Sequence, residues 1–105
     1  MDTSFFQIQD QIAFSDDAAR KIALATTDHS RTTLWCLAPG QHIHPHVHAG
    51  DHVWVVLQGR GTFLGENEMS QEIGVGTVLV APAGRPHGVR NDGDQGLVFV
   101  SISAG

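Results

Sequence analysis

GQHIHPHVHAGDHVWVVLQG, residues 40–59, carries five of the chain's seven histidines and ends in a run of β-branched and aromatic residues. His46 and His48 stand two apart. On an extended backbone such residues share a face, about 6–7 Å apart, so their ring tips can converge on one ion. Ala49-Gly50-Asp51 is a small, bendable link. His52 comes next, at the head of Val53–Leu57, where a bend at Gly50 lets a third imidazole close on the same point. His42 and His44 continue the alternation backwards, but Pro45 and the Gly40 turn argue against one straight strand there. His44 is kept as a candidate pocket residue, and Asp51, of opposite parity to His52, as a loop carboxylate.

Outward from this stretch, strand-like pieces recur every eight to twelve residues with turn residues between them. Lys21–Thr26 and Arg31–Ala38 flank a polar hairpin loop holding His29, which is expected to be solvated. Gly61–Leu64, Met69–Ile73, Thr77–Ala81, His87–Arg90 and Leu97–Ser103 complete the series. Pro82-Ala83-Gly84-Arg85-Pro86 forms a rigid turn that delivers His87 to the start of a strand. This spacing predicts an antiparallel all-β sandwich or barrel. Only residues 14–22 have a helical case, one turn with Ser15 as cap. Trp54 and Val56 share parity with His52. With Trp35 and Phe63 they are candidate walls of a pocket, although aromatics also serve as core.

Composition narrows the partners. A chain of 105 residues predicts one domain, 1–105. Six Lys+Arg against eleven Asp+Glu give a net charge of −5 and no basic stripe, so no nucleic-acid partner is expected. No apolar run is long enough to span a bilayer, and Met1-Asp2-Thr3-Ser4 lacks the start of a signal peptide. The single cysteine, Cys36, permits no intrachain disulfide and reads as a small core residue. A cytoplasmic location is the expectation.

The histidine pattern resembles the cupins, in particular small single-domain type-2 cupins. Their first motif, G-x5-H-x-H-x3-E-x6-G, is matched over residues 40–59 by Gly40, His46, His48 and Gly59, with His52 in place of the glutamate. The second, G-x5-P-x-G-x2-H-x3-N, is matched over residues 76–91 by Gly76, Pro82, Gly84, His87 and Asn91. The resemblance implies a double-sheet jelly-roll barrel with a metal inside, held by His46, His48, His52 and His87. The His52 replacement resembles a four-histidine subset of small cupins. It removes a negative charge and the family's usual base. Four neutral imidazoles suit one divalent Fe, Mn, Cu, Ni, Co or Zn ion and argue against Ca or Mg. Since imidazoles must be neutral to bind, affinity is expected to fall below about pH 6.5.

The resemblance and the donor set together imply a metal-dependent oxidoreductase, most plainly a dioxygenase, acting on a small-molecule substrate. A non-redox Lewis-acid isomerase or lyase is the alternative, weakened by the lost glutamate. A non-catalytic module binding a small ligand or metal is the third reading. The apolar-leaning start (Phe5, Phe6, Ile8, Ile12, Phe14) makes residues 1–14 a candidate dimerisation arm, and a homodimer is expected.

Overall fold

A computed structural model describes residues 2–104. After one helical turn, α1 (Ile8–Gln11), come nine strands: β1 (Arg20–Thr26), β2 (Ser30–Leu37), β3 (His42–His46), β4 (Asp51–Gln58), β5 (Arg60–Leu64), β6 (Ser70–Gly74), β7 (Val78–Ala81), β8 (His87–Arg90) and β9 (Leu97–Ala104). They form a five-stranded sheet, β1-β2-β9-β4-β7, and a four-stranded sheet, β3-β8-β5-β6. Every pairing is antiparallel. The all-β double-sheet architecture expected from the spacing of turn residues is the one observed.

The inward positions of the large sheet change character along each strand. On β2 they run Arg31, Thr33, Trp35, Leu37; on β9, Ser103, Ser101, Phe99, Leu97; on β4, His52, Trp54, Val56. Register puts these series side by side, Arg31 with Ser103 and Ser103 with His52, then Thr33 with Ser101 and Ser101 with Trp54. One end of the space between the sheets is therefore apolar and filled. Leu37, Val56, Leu97 and Phe99 pack there against Ile73 and Val89 of the small sheet. Burying each such side chain contributes about 1.5–3 kcal/mol. The other end is lined with hydroxyls, imidazoles and cations that cannot close up in the same way, and a cavity remains.

The outer face of the β1-β2-β9 half is covered by the N-terminal segment. Ile8 and Ile12 pack with Ile22 and Leu24 against buried Leu34, Cys36 and Val98. Burial raises the Cys36 thiol above its usual range, as suits an inert core residue. Half of the candidate arm is thus engaged within its own chain.

One local expectation is corrected. Residues 14–19 form no helix. Ser15 Oγ accepts the Asp17 N–H at 3.2 Å and the Ser15 carbonyl accepts Gln41 Nε2 at 2.6 Å, so the serine closes a turn rather than capping a helix. Among the described residues the one α-helical turn lies earlier, at Ile8–Gln11. The His/Pro-rich segment is a short strand, β3, and, as Pro45 leads one to expect, it is not a regular one. It pairs with β8 through a register shift between Ile43 and His46, which accommodates the missing N–H of Pro45.

Candidate metal centre

The four motif histidines arrive from three places. His46 and His87 are register partners on β3 and β8 of the small sheet. His52 opens β4 of the large sheet, and His48 lies in the link between the sheets. Two contacts draw the second-motif turn onto this link. The Gly84 N–H donates to the His48 carbonyl at 2.9 Å, and the Ala83 N–H donates to Asp51 Oδ1 at 2.8 Å. Asp51 is therefore a loop fastener, not a ligand. The turn closes with the Arg85 N–H donating to the Pro82 carbonyl, and Gly84 supplies the positive φ of +79° at its third position. A glycine is likewise required at position 59 (φ +76°), where a Cβ would run into the Gly96 carbonyl.

The rings converge. Ring centres of His46 and His48, His46 and His87, and His52 and His87 are each 4.6 Å apart, and those of His48 and His52 are 4.5 Å apart. Ligating nitrogens of His46, His48 and His87 lie within 4.8 Å of one another. His52 falls outside that nitrogen set although its ring joins the cluster. Two rings are aimed from behind. His46 Nδ1 is 2.9 Å from the His44 carbonyl and His87 Nδ1 is 3.0 Å from the Arg85 carbonyl. A proton on each Nδ1 makes it the donor and leaves Nε2 with its lone pair free, the arrangement that metal-ligating histidines use. Ser101 Oγ approaches His52 Nδ1 at a longer 3.4 Å.

Two observations test whether these residues suit a metal. His87 is 1% exposed, and its Nε2 is buried without a hydrogen-bond partner. An unpaired acceptor in such a place is costly, and a cation would satisfy it. Three of the rings are also held toward the neutral form. His52 is pushed down to about 4, by burial first and then by neighbouring His87, His48 and His46 with Arg31. Burial also lowers His48 and His87; the Arg85 carbonyl partly opposes this at His87. Neutral imidazoles are the binding form, so the residues fit a transition metal.

The surrounding cavity has a volume of about 220 Å³. Trp35 and Trp54 line it, as does Ile43. The other wall candidates do not. Val56 is 1% exposed within the core, and Phe63 packs against that core with its ring edge-on to Trp54. Both lie further toward the filled end. The His44 ring turns outward to His42 (Nε2 to Nε2, 3.1 Å), so His44 serves the site through its carbonyl alone. His29 is exposed in the β1–β2 turn. Lys21, Arg31, Thr33, Ser101 and Ser103 also line the cavity. Sequence reading passed over them. The alternation Arg31, Thr33, Trp35 was visible, but only the pairing of β2 with β9 and β9 with β4 brings it beside His52.

Comparison with known proteins agrees with this architecture. The family model for the cupin domain matches residues 33–103. No curated protein matches the chain. Among solved structures, it is similar to an uncharacterised conserved protein with a double-stranded β-helix domain from Klebsiella pneumoniae. That likeness has 27% identity and a TM-score of 0.92 over 98% of this chain and 90% of the other. A protein from Thermus thermophilus gives 26% identity and a TM-score of 0.90 over 97% of each chain. An RmlC-like cupin from Desulfovibrio desulfuricans gives 28% identity and a TM-score of 0.85, also over 97% of each. With both histidine motifs inside the matched region, the chain belongs to the cupin domain family.

Proposed function

We propose that this cupin is a transition-metal-dependent oxidoreductase of the dioxygenase type, acting on a small organic substrate, with His46, His48, His52 and His87 holding the ion. One observation carries the reading. The imidazoles crowd around a cavity that no described Asp or Glu lines. A neutral donor set leaves a divalent ion its full charge, which favours the lower oxidation state. The same lack of a carboxylate weighs against a Lewis-acid isomerase or lyase, which needs a base beside the substrate. His44, the one base candidate from the sequence, faces away. Bound here, Fe, Mn or Cu would supply one-electron chemistry between substrate and O₂. The chain contributes the aim of His46 and His87 through their backbone acceptors. Trp35, Trp54 and Ile43 add walls that shed water.

The test compares protein loaded with Fe, Mn or Cu against protein loaded with Zn, using an oxygen electrode and a panel of small organic substrates. Substrate-dependent O₂ uptake is expected with the redox-active metals and none with Zn. Turnover by the Zn form without oxygen would replace this reading with the Lewis-acid one.

The homodimer remains part of the proposal. Val78 and Val80 on edge strand β7 are 61% and 63% exposed and lie beside Ile102 and Val53 on one outer face. A second copy would cover this apolar face. Sedimentation should give twice the chain mass, and Val80→Glu should give the monomer; a parent that sediments as a monomer ends the idea.

A further inference from the structure

The inner face of the large sheet carries polar side chains that the proposed ligand set leaves unused. Arg31, Ser103 and His52 form one row across β2, β9 and β4. Strands about 4.8 Å apart put the Arg31 and His52 backbones about 10 Å from each other on the same face. That is space for a small molecule between guanidinium and imidazole. Thr33 lies one row further in. Lys21 stands opposite Trp35 on β1, with its Nζ 5.8 Å from the Trp35 ring centre. A cation–π contact of this kind holds the ammonium group over the cavity wall.

The charges are unbalanced. Arg60, Arg85 and Arg90 pair with Glu72, Glu66 and Asp92. Lys21 and Arg31 form no ion pair among the described residues, and both line the cavity. This is a chain with eleven acidic and six basic residues, so acidic partners are not scarce. A divalent ion on neutral imidazoles would add two more positive charges to the same small space. An incoming anion would relieve this repulsion, and a low-dielectric cleft of one sign draws it in.

The chemistry of the walls narrows the anion. A guanidinium fork matches a carboxylate through two parallel hydrogen bonds. Thr33 and Ser103 make no side-chain hydrogen bond among the described residues, so their hydroxyls are free to donate. Trp35 and Trp54 offer flat apolar surface, which a bare inorganic ion cannot use. The volume of about 220 Å³ is below that of pockets for drug-sized ligands. We propose that the cavity takes a small organic carboxylate, its carboxyl group on Arg31 with Lys21, Thr33 and Ser103 around it, and its apolar body between the tryptophans and the histidines. For the chemistry at the ligand's other end, the inference rests on the metal reading above.

Titration calorimetry on the Zn-loaded protein, with benzoate and its neutral counterpart benzamide, tests the seat without turnover. Benzoate should bind more tightly than benzamide. Arg31→Gln should weaken benzoate by about tenfold, the loss of a charge-assisted hydrogen-bond pair, and leave benzamide unchanged. Lys21→Gln should weaken it less. Equal binding of benzoate by parent and Arg31→Gln overturns the proposal. So does equal binding of benzamide, a lack of saturable benzoate binding, or displacement of benzoate by equimolar inorganic phosphate. Zinc content of the same samples separates the two ideas. Full zinc with benzoate binding that ignores Arg31 ends the carboxylate seat alone. A protein that takes up no zinc ends the metal reading, and the Arg31 comparison is then decided on the metal-free protein.

Discussion

Loading with a divalent transition metal should raise the melting temperature by roughly 10–20 °C, and a chelator should remove the gain. A ligand that binds only the folded state adds about 2.7 kcal/mol at a hundredfold excess over its dissociation constant, and in a domain of this size each kcal/mol moves the midpoint by about 4–8 °C. His48 is the discriminating position. It is exposed and lies in a link, so His48→Ala costs the metal-free protein little packing. The same change removes one of three clustered nitrogens, so the chelator response should vanish. His29→Ala should keep it. An unchanged chelator response in His48→Ala would falsify the ligand role. His52→Ala decides between three ligands and four, because the metal-dependent gain shrinks only if the fourth imidazole coordinates.

The same series has a pH signature of defined sign. The folded protein holds His52 near 4, whereas an unfolded chain titrates near 6.5. Between those values the unfolded state binds more protons, so this contribution is whole above about 6.5 and is lost as pH falls toward 4. The metal-free melting temperature should therefore decline across that window. Metal should also be retained at lower pH than the ordinary histidine value suggests, since the proton competes less well for these rings. Melting curves of metal-free and loaded protein at pH 7, 6 and 5 check both statements.

Much of this architecture was legible because it is written in local chemistry. Strand lengths came from β-branched runs and their stops, His46 could be singled out by its i, i+2 spacing from His48, and His87 by the proline-containing turn before it. What local reading could not give was register. Val56 shares parity with His52 and was a reasonable wall candidate. Which end of the sheet sandwich is filled depends on Phe99, Leu97 and Ile73 arriving opposite it. Arg31 and Ser103 look like solvated residues near loops until three strands are aligned. His44 failed for a different reason. The shift at Pro45 breaks the alternation that would have put its ring beside His46. Strand pairing within the large sheet, not composition, assigns the cavity its cations.

Asn91→Ala should lower the melting temperature of metal-free and metal-loaded protein alike, by roughly 10–20 °C. Asn91 is fully buried. Its Nδ2 donates to the Leu37 carbonyl and to the Gln95 carbonyl, each at 2.9 Å, and its Oδ1 accepts the Gly93 N–H at 3.1 Å. Its backbone pairs with Gly40 and Gln41. One side chain thus fastens the end of β2 to the loop between β8 and β9, at the end of β8 remote from His87. Alanine keeps the backbone pairs but leaves two carbonyls and one N–H without their partner. Such groups cost about 1–3 kcal/mol each when buried, and water reaching the loop reduces the sum to about 2.5 kcal/mol. At about 4–8 °C per kcal/mol this gives the stated fall. The metal-dependent gain should survive, because His46 and His87 are aimed by carbonyls of other residues. Asn91→Asp is the sharper variant. A carboxylate of the same shape can still accept from Gly93 but sets negative charge against two carbonyl oxygens. It should be at least as damaging as alanine at neutral pH, and recover in part as acid protonates it and restores one donor. If Asn91→Asp melts like the parent at pH 7, the side chain is not acting as the donor that fastens the two loops.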